Sequence, residues 1–361
     1  MPVSSAKRAL LAVGILILVF AGAAGIYFYR HSQPPASPSA GAPPDLLSLL
    51  PDAPVIGYAD VAALRNLANS PLGAVLGLAS PGPQADKEYA GFVRDTGFDY
   101  TRDLDRTAIA AWPSTLGTAN GQPPTGRLLA LGDGRFDQQK IAAYALRSGR
   151  IAQSAPHPIY EAPGQAPGEK IFVTFVSATR IALASDLGLL SGLDTAAAHT
   201  HSPAMKARIE RVAGAPIFAV AATDALPNSV YANLSGMPQL EKLVRSVKSL
   251  MLAGKPDADH INVALDGECD SMSSAFQIAT LLDGFRMIGS AALADPKTRR
   301  QMTREQAGFL TALLSNVKVD HQDKWVRLTL ALTPEMLGAS GARTRNTQLA
   351  PTHPQSQPTE R

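Results

Sequence analysis

Apolar residues are distributed unevenly along the chain and divide it into an N-terminal apolar segment, a long middle region and two polar stretches. Residues 9–29 form an uncharged run of 21 residues. At about 1.5 Å per residue, a helix of that length spans about 30 Å, the hydrocarbon thickness of a bilayer. From 46 to 338, short apolar runs alternate with helix-type periodicity. The pattern predicts one transmembrane helix over 9–29, followed by a folded body.

The charges around the apolar run predict its orientation. Lys7 and Arg8 precede it on a short tail, which favours a cytoplasmic tail (1–8) and an exported body. We therefore expect a single-pass protein of the inner (cytoplasmic) membrane, with its N-terminus inside and its body in the periplasm. The alternative is a cleaved signal peptide with an apolar core at 10–20 and small residues at 21–23. Apolar residues continue through 26–29, which favours the uncleaved anchor.

Polar, proline-bearing stretches flank the predicted body. Residues 30–45 include five prolines together with Ser, Ala and Gly, a composition typical of a semi-extended linker. Residues 339–361 are also polar and contain proline, and we predict a disordered tail.

The middle region repeats one order of elements. The segments "APVIGYADVAAL" (53–64) and "APIFAVAATDAL" (215–226) align without a gap. A predicted hairpin, a helix and a second hairpin follow each of them. The order predicts an α+β fold of two structurally similar halves, 46–198 and 199–338, with a boundary near 195–204. Each half is expected to be an antiparallel sheet with helices packed on one face.

The single cysteine, Cys269, falls at a corner between a strand and a helix. Setting "GRFDQQK" (134–140) over "GECDSMS" (267–273) places Cys269 on Phe136 and Asp270 on Asp137, and both aspartates are suitable helix N-caps. We predict that the thiol packs at this corner and that Glu268 faces water. A nucleophilic role is the alternative, but neighbouring carboxylates disfavour the thiolate.

Charge and composition exclude several classes of function. The formal charge is +3, but residues 31–338 contain 27 basic and 29 acidic side chains. A nearly neutral body without a basic face is not expected to bind nucleic acid. One cysteine cannot build a multi-cysteine metal site, and the seven histidines show no metal-ligand spacing. We predict no metal and no cofactor.

The densest group of ionisable residues lies in "GFDYTRDLDR" (97–106). Its members are Asp99, Arg102, Asp103, Asp105 and Arg106. Paired carboxylates can perform acid–base chemistry. The simpler interpretation is a loop in which aspartates cap turns and pair locally with arginines. These five residues are the candidate binding residues, and no catalytic residue is predicted.

Three stretches resemble a group of membrane-anchored bacterial envelope proteins without an assigned activity. They are "DLLSLLPDAPVIGYADVAAL" (45–64), "TGFDYTRDLDRTAIA" (96–110) and "VALDGECDSMSSAFQIATLLDGF" (263–285). The resemblance covers most of residues 45–338. It implies the location and the fold, and it carries over no active site.

The preferred functional hypothesis is a membrane-tethered, exported, non-catalytic binding or scaffold module. Its expected partners are the bilayer, through residues 9–29, and another envelope protein. One alternative is an envelope hydrolase using the Asp99, Asp103 and Asp105 loop, and another is a structural spacer without a ligand. Ionisable side chains converging in a cleft would favour the hydrolase, whereas an exposed apolar patch would favour the binding module.

Overall fold

The computed structural model describes residues 46–68, 87–113, 126–153, 157–163, 169–191, 193, 201–225, 238–257, 260–333 and 336. The tail 1–8, the segment 9–29, the linker 30–45 and the tail 339–361 lie outside these residues, as do 194–200 of the predicted boundary. Among the described helices, none combines the length and the apolar character needed to cross a membrane.

The described residues form an α+β structure built on one antiparallel sheet of twelve strands, in the order β11-β12-β10-β9-β8-β1-β2-β3-β7-β6-β5-β4. The strands are β1 (Val55–Asp60), β2 (Leu104–Trp112), β3 (Arg127–Gly134), β4 (Arg150–Gln153), β5 (Ile159–Pro163), β6 (Lys170–Ser177), β7 (Arg180–Ala184), β8 (Ile217–Ala222), β9 (Val247–Pro256), β10 (Ile261–Cys269), β11 (Lys318–Gln322) and β12 (Trp325–Leu332).

Helices connect these strands. They are α1 (Val61–Ala68), α2 (Lys87–Thr96), α3 (Tyr100–Asp103), α4 (Gln138–Ala145), α5 (Pro203–Val212), α6 (Pro238–Arg245), α7 (Met272–Ala294), α8 (Pro296–Arg299) and α9 (Arg304–Asn316). Short 3-10 turns occupy Leu46–Leu49, Leu187–Leu189 and Thr223–Ala225.

A single sheet crosses the predicted boundary between the halves. β1 pairs with β8 in antiparallel register from Val55↔Ala221 to Ala59↔Ile217. The expectation of a separate sheet in each half is therefore wrong. The pairing has a simple physical reason, because an edge strand leaves a row of main-chain N–H and C=O groups unpaired. Joining β1 to β8 satisfies those groups in both strands.

The predicted hairpins and part of the predicted capping are confirmed. β2 pairs with β3, β9 with β10, β6 with β7, and β11 with β12. Asp137 caps α4 as predicted, and the structure adds a second aspartate cap, Asp295, at the start of α8. The capping role predicted for Asp270 is wrong, since the N-cap of α7 is Ser271, whose hydroxyl accepts from the Ser274 amide.

One row of residues on one side of the sheet is completely buried. The row Leu129, Ala110, Ile56, Val220 and Met251 runs directly across five neighbouring strands, and each of these residues has 0% exposure. We call this side the closed face. Buried residues of the Leu46–Leu49 turn, the 187–193 segment and α5 pack against it in the same hydrophobic cluster.

Helices also pack on the opposite side of the sheet, which corrects the prediction of helices on one face only. Trp325 packs with the cluster of the closed face, whereas its neighbour Val326 packs with Ala275 and Ala279 of α7. Side chains of consecutive strand residues point to opposite faces. α7 therefore covers β10, β12 and β11 from the second side, and Ile141 of α4 packs there against Ile181 of β7.

Candidate functional site

The short helix α3 positions the predicted cluster. Asp99 is its N-cap, and Oδ1 of Asp99 accepts hydrogen bonds from the Thr101 amide (2.9 Å) and the Thr101 hydroxyl (2.6 Å). The Tyr89 hydroxyl donates to the same oxygen at 3.0 Å. Burial and the nearby Asp99 carboxylate raise the pKa of Tyr89, so its hydroxyl remains a donor at neutral pH. Asp99 thus acts as a local capping residue.

Asp103 is buried and held by several donors. The Arg102 guanidinium donates to it at 2.7 Å, and the Asp99 amide donates at 3.0 Å. Burial opposes ionisation of this carboxyl, but the bonds from Arg102 and Asp99 outweigh it and lower the pKa of Asp103. A general acid needs a carboxyl with a raised pKa. The environment of Asp103 has the opposite effect.

The remaining two candidates have other partners. Asp105 Oδ1 lies 3.4 Å from Arg65 and 3.8 Å from Arg135. Arg106 donates to Asp133 of β3 at 2.9 Å. The structure therefore brings Asp99, Arg102 and Asp103 together, places Asp105 beside them, and assigns Arg106 to a different network.

That network is a buried ion pair that the sequence interpretation missed. Arg180 of β7 donates two hydrogen bonds to the Asp133 carboxylate, at 2.6 and 2.9 Å. Both residues are buried. With Arg106 as a second partner, the Asp133 carboxylate is shared by two guanidinium groups. Bidentate geometry of this kind fixes the alignment of β3 and β7.

A second buried aspartate, Asp266 of β10, is also shared by two arginines. Asp266 of β10 accepts from Arg327 of β12 at 2.6 and 2.5 Å and from Arg211 of α5 at 3.0 Å. The Arg211 guanidinium also stacks over the Trp325 ring, 4.3 Å from its centroid. These contacts fasten α5 to the closed face of the sheet.

Glu268 is buried, which shows that its predicted exposure to water is wrong. Its carboxylate accepts from Lys324 (2.7 Å), Arg208 (2.9 Å) and Ser249 (3.0 Å). Burial disfavours its charge, but these three donors outweigh burial and lower the pKa of Glu268 to about 2. The physical reason is strand alternation, since Glu268 lies two residues from Asp266 and faces the same side.

Cys269 packs as predicted. It is 1% exposed and belongs to the cluster under α7, with Val247, Ala275 and Val326. Burial, reinforced by Asp270 and Glu268, raises the pKa of the thiol to about 11. A thiol with that pKa is protonated and unreactive at neutral pH.

The described part of the chain was searched for residues that could bind a metal ion. Within it, no group of three or more His, Cys, Asp or Glu side chains could hold a metal ion. His201 instead contacts the Leu47 carbonyl, with Nε2 at 2.8 Å.

The sheet side opposite the closed face carries an apolar surface in two cross-strand rows. Each row follows the register of neighbouring strands. The first row contains Leu128, Ala111, Val55, Ala221 and Leu250. We call this surface the apolar floor.

The second row of the apolar floor lies beside the first. It contains Leu183, Ala130, Ile109, Gly57, Ala219 and Leu252. In both rows every residue is apolar, and none of them is buried: Leu128 is 41% exposed, Leu183 is 36% exposed, and the others are half-buried. Six strands spaced about 4.8 Å apart make the floor about 24 Å wide.

The floor offers no unsatisfied hydrogen-bonding edge. Each of its strands, from β7 through β3, β2, β1 and β8 to β9, has a paired neighbour on both sides. Its main-chain groups are therefore used within the sheet, and its side chains supply no polar atoms. A molecule on the floor gains apolar contact and little else.

Described helices stand at the margins of the floor. On one side, Leu250 packs against the cluster under α7. On the other, Val173, which pairs with Leu183, packs against the cluster of Ile141 in α4. At the Asp60 end of β1, Arg65 of α1 donates to the carbonyls of Thr101 and Leu104. Described helices thus border the floor at these margins.

Comparison with known proteins identifies no family. No protein-family model and no curated protein matches the chain. Among solved structures, crystal forms III and IV of TP0453 are similar at 11% identity, with TM-scores of 0.42 and 0.40. The alignment to form III covers 82% of this chain and 96% of that chain, and the alignment to form IV covers 82% and 95%.

Proposed function

We propose that this protein is a membrane-tethered, exported, non-catalytic binding module whose binding surface is the apolar floor. The exposed apolar surface at the centre of the sheet carries the proposal. Large apolar patches on a folded protein mark sites of interaction. Ligand sites are typically mostly apolar, and the floor, which α4 and α7 border, shares that property.

The contacts of the ionisable residues support a non-catalytic role over the hydrolase alternative. Asp99 caps a helix, Asp103 and Asp105 are paired with arginines, and the pKa of Asp103 is lowered. Asp266 and Glu268 are likewise paired in networks that hold α5 to the sheet. These carboxylates stabilise the fold through their partners, and none is arranged as an acid beside a base.

We also infer that the body is a duplicated scaffold. The sequence alignment sets Gly57 on Ala219, and these two residues are direct partners across β1 and β8. Such self-pairing is expected where a local two-fold axis passes through a sheet. Strand order supports the same inference, since β1-β2-β3-β7-β6 on one side matches β8-β9-β10-β12-β11 on the other.

The buried ion pairs fit the duplication as well. The alignment of 134–140 with 267–273, extended by one residue, sets Asp133 on Asp266. Each aspartate pairs with an arginine directly opposite on the next strand, Arg180 or Arg327. The hairpin β4–β5, which the sequence interpretation missed, is an addition to the first half.

A binding assay tests whether the floor is accessible. The full chain is reconstituted in nanodiscs and titrated with the apolar fluorophore bis-ANS, with and without Leu128→Glu. The control is Leu146→Glu, because Leu146 has the same 41% exposure and lies off the floor, at the end of α4. We expect Leu128→Glu to lower binding and Leu146→Glu to leave it unchanged. Equal binding by all three chains would refute the proposed site.

A labelling experiment tests the tether and the location. Because Cys269 is buried, Ser37→Cys introduces one reactive thiol into the linker. A membrane-impermeant maleimide is expected to label this thiol in spheroplasts, and the protein is expected to remain in the membrane during carbonate extraction. Labelling only after lysis would contradict export of the body.

A further inference from the structure

The outer edge of β11 is one end of the sheet, and its main-chain groups have no further strand to pair with among the described residues. Gln322 and Trp325 close the β11–β12 hairpin around a two-residue turn, so they form a hydrogen-bonded pair. Hydrogen-bonded and non-hydrogen-bonded pairs alternate along an antiparallel ladder. The N–H and C=O groups of Val319 and His321 therefore point away from β12. An edge with such free groups can add a further strand.

The opposite edge of the sheet is irregular, whereas the β11 edge is regular. β4 contains only Arg150–Gln153, and its pairing with β5 shifts register between Ile151 and Gln153. Irregularities of this kind discourage the addition of a strand. β11 pairs with β12 over all five of its residues without a shift. Of the two ends of the sheet, β11 is therefore the one suited to accept a strand.

We propose that a second copy of this chain docks on β11, edge to edge and antiparallel, about a two-fold axis at Val319. The charges of the strand carry the proposal. Lys318 and Asp320 flank Val319, both are exposed, and neither forms an ion pair within the described residues. Arg327, which lies opposite Asp320 on β12, is paired with Asp266 instead. The edge thus presents one positive and one negative side chain to an incoming strand.

The same charges select the register of the pairing. An axis at Asp320 or at Lys318 would set that residue directly opposite its own copy, and like charges in this position are unfavourable. An axis at His321 would set Asp320 opposite Gln322 and form no ion pair. With the axis at Val319, Lys318 of each copy lies opposite Asp320 of the other, and two ion pairs form. The two Val319 residues can then exchange N–H···O=C hydrogen bonds.

Exposed apolar side chains lie beside the same edge. The Phe276 ring of α7 contacts the His321 ring, with the two centroids 5.4 Å apart, and Phe276 is 56% exposed. Met272, one turn earlier on α7, is 64% exposed. A two-fold axis perpendicular to the sheet keeps the α7 helices of both copies on one side of the joined sheet. These side chains therefore lie at the margin of the new interface, where contact with the other copy removes apolar surface from water.

Charge reversal tests both the surface and the register. The full chain is purified in dodecyl maltoside, and its dimerisation is measured by sedimentation velocity over a range of concentrations. Lys318→Asp or Asp320→Lys replaces two attractive pairs by two repulsive ones, so each variant should dimerise about tenfold more weakly than the wild type. Mixing the two variants, labelled with different fluorophores, restores a Lys–Asp pair at both contacts. The mixture should therefore form a heterodimer with the affinity of the wild-type dimer.

The matched control is Lys140→Asp on α4, because α4 packs on β7, eight strands from β11. This variant should dimerise like the wild type. A wild-type chain that stays monomeric would overturn the proposal and would leave the edge to an extended segment of a different protein. A dimer that neither variant of β11 weakens would place the interface elsewhere. Two weakened variants that form no heterodimer would refute the register at Val319, and the proposal with it.

Discussion

The two faces of the central sheet are made from the same strands, yet they differ in exposure. On β3, Leu129 is fully buried, whereas the preceding residue, Leu128, is 41% exposed. On β2, Ala110 is fully buried and Ala111 is half-buried. The closed face is covered by α5 and the segments 46–50 and 187–193, whereas described helices border the apolar floor at its margins. The placement of helices, more than strand sequence, distinguishes the core face from the floor.

The largest expected effect concerns the buried charges of the closed face. Asp266→Asn removes the charge that Arg211 and Arg327 share. Breaking a buried ion pair typically costs about 3–5 kcal/mol of unfolding free energy. Urea denaturation measures the loss. As a control, Asp283→Asn, which removes an exposed partner of Arg286, should cost less than about 1 kcal/mol.

Truncation of adjacent leucines compares the two faces directly. Leu129→Ala opens a cavity in the closed face and should destabilise the protein by about 2–5 kcal/mol. Leu128→Ala removes a side chain that already contacts water and should cost about 1 kcal/mol or less. Equal losses in urea denaturation would mean that the floor is packed as tightly as the core.

Lowering the pH should reduce the unfolding free energy, because Glu268 on the closed face becomes protonated. Its pKa is lowered to about 2 in the folded protein, against an ordinary value near 4.3. A lowered pKa contributes stability above the unfolded value, and this contribution is lost as the pH falls from about 4.5 towards 2. The loss is on the order of 3 kcal/mol. Glu268→Gln should flatten this part of the pH–stability curve, and an unchanged curve would contradict the assignment.

The smallest effect is expected on the floor itself. Leu128→Glu should change the unfolding free energy by about 1 kcal/mol or less, since the position is partly solvated. Thermal denaturation checks this value. A large loss would show that Leu128 belongs to the core, and the variant would then be unsuitable for the binding assays.

Local patterns predicted much of the secondary structure but not its assembly. Short apolar runs predicted the hairpins, and Asp137 was correctly predicted as a cap. The pairing of β1 with β8 was missed because it joins segments far apart in sequence, with no local signal. Glu268 was predicted to face water because it is charged. The alternation of side chains along β10 was not considered, and it places Glu268 on the closed face together with Asp266.

The apolar floor could not be recognised from the sequence for a related reason. In β2, the run Ala108, Ile109, Ala110 and Ala111 is apolar at every position, a pattern typical of strands that are covered on both faces. Which face the described helices cover depends on where α4, α5 and α7 pack. The Asp99–Asp103 cluster is the opposite case, because it is conspicuous in the sequence and yet its carboxylates only cap a helix and pair with nearby arginines.

The central claim, that one face is closed and the other open, is tested most directly by two single-cysteine substitutions at adjacent positions of β2. Ala110→Cys lies on the closed face and Ala111→Cys on the floor, and the native Cys269 is buried with a raised pKa. With N-ethylmaleimide on the folded full chain, the account predicts rapid modification of Ala111→Cys and slow modification of Ala110→Cys. Equal rates at the two positions would contradict it.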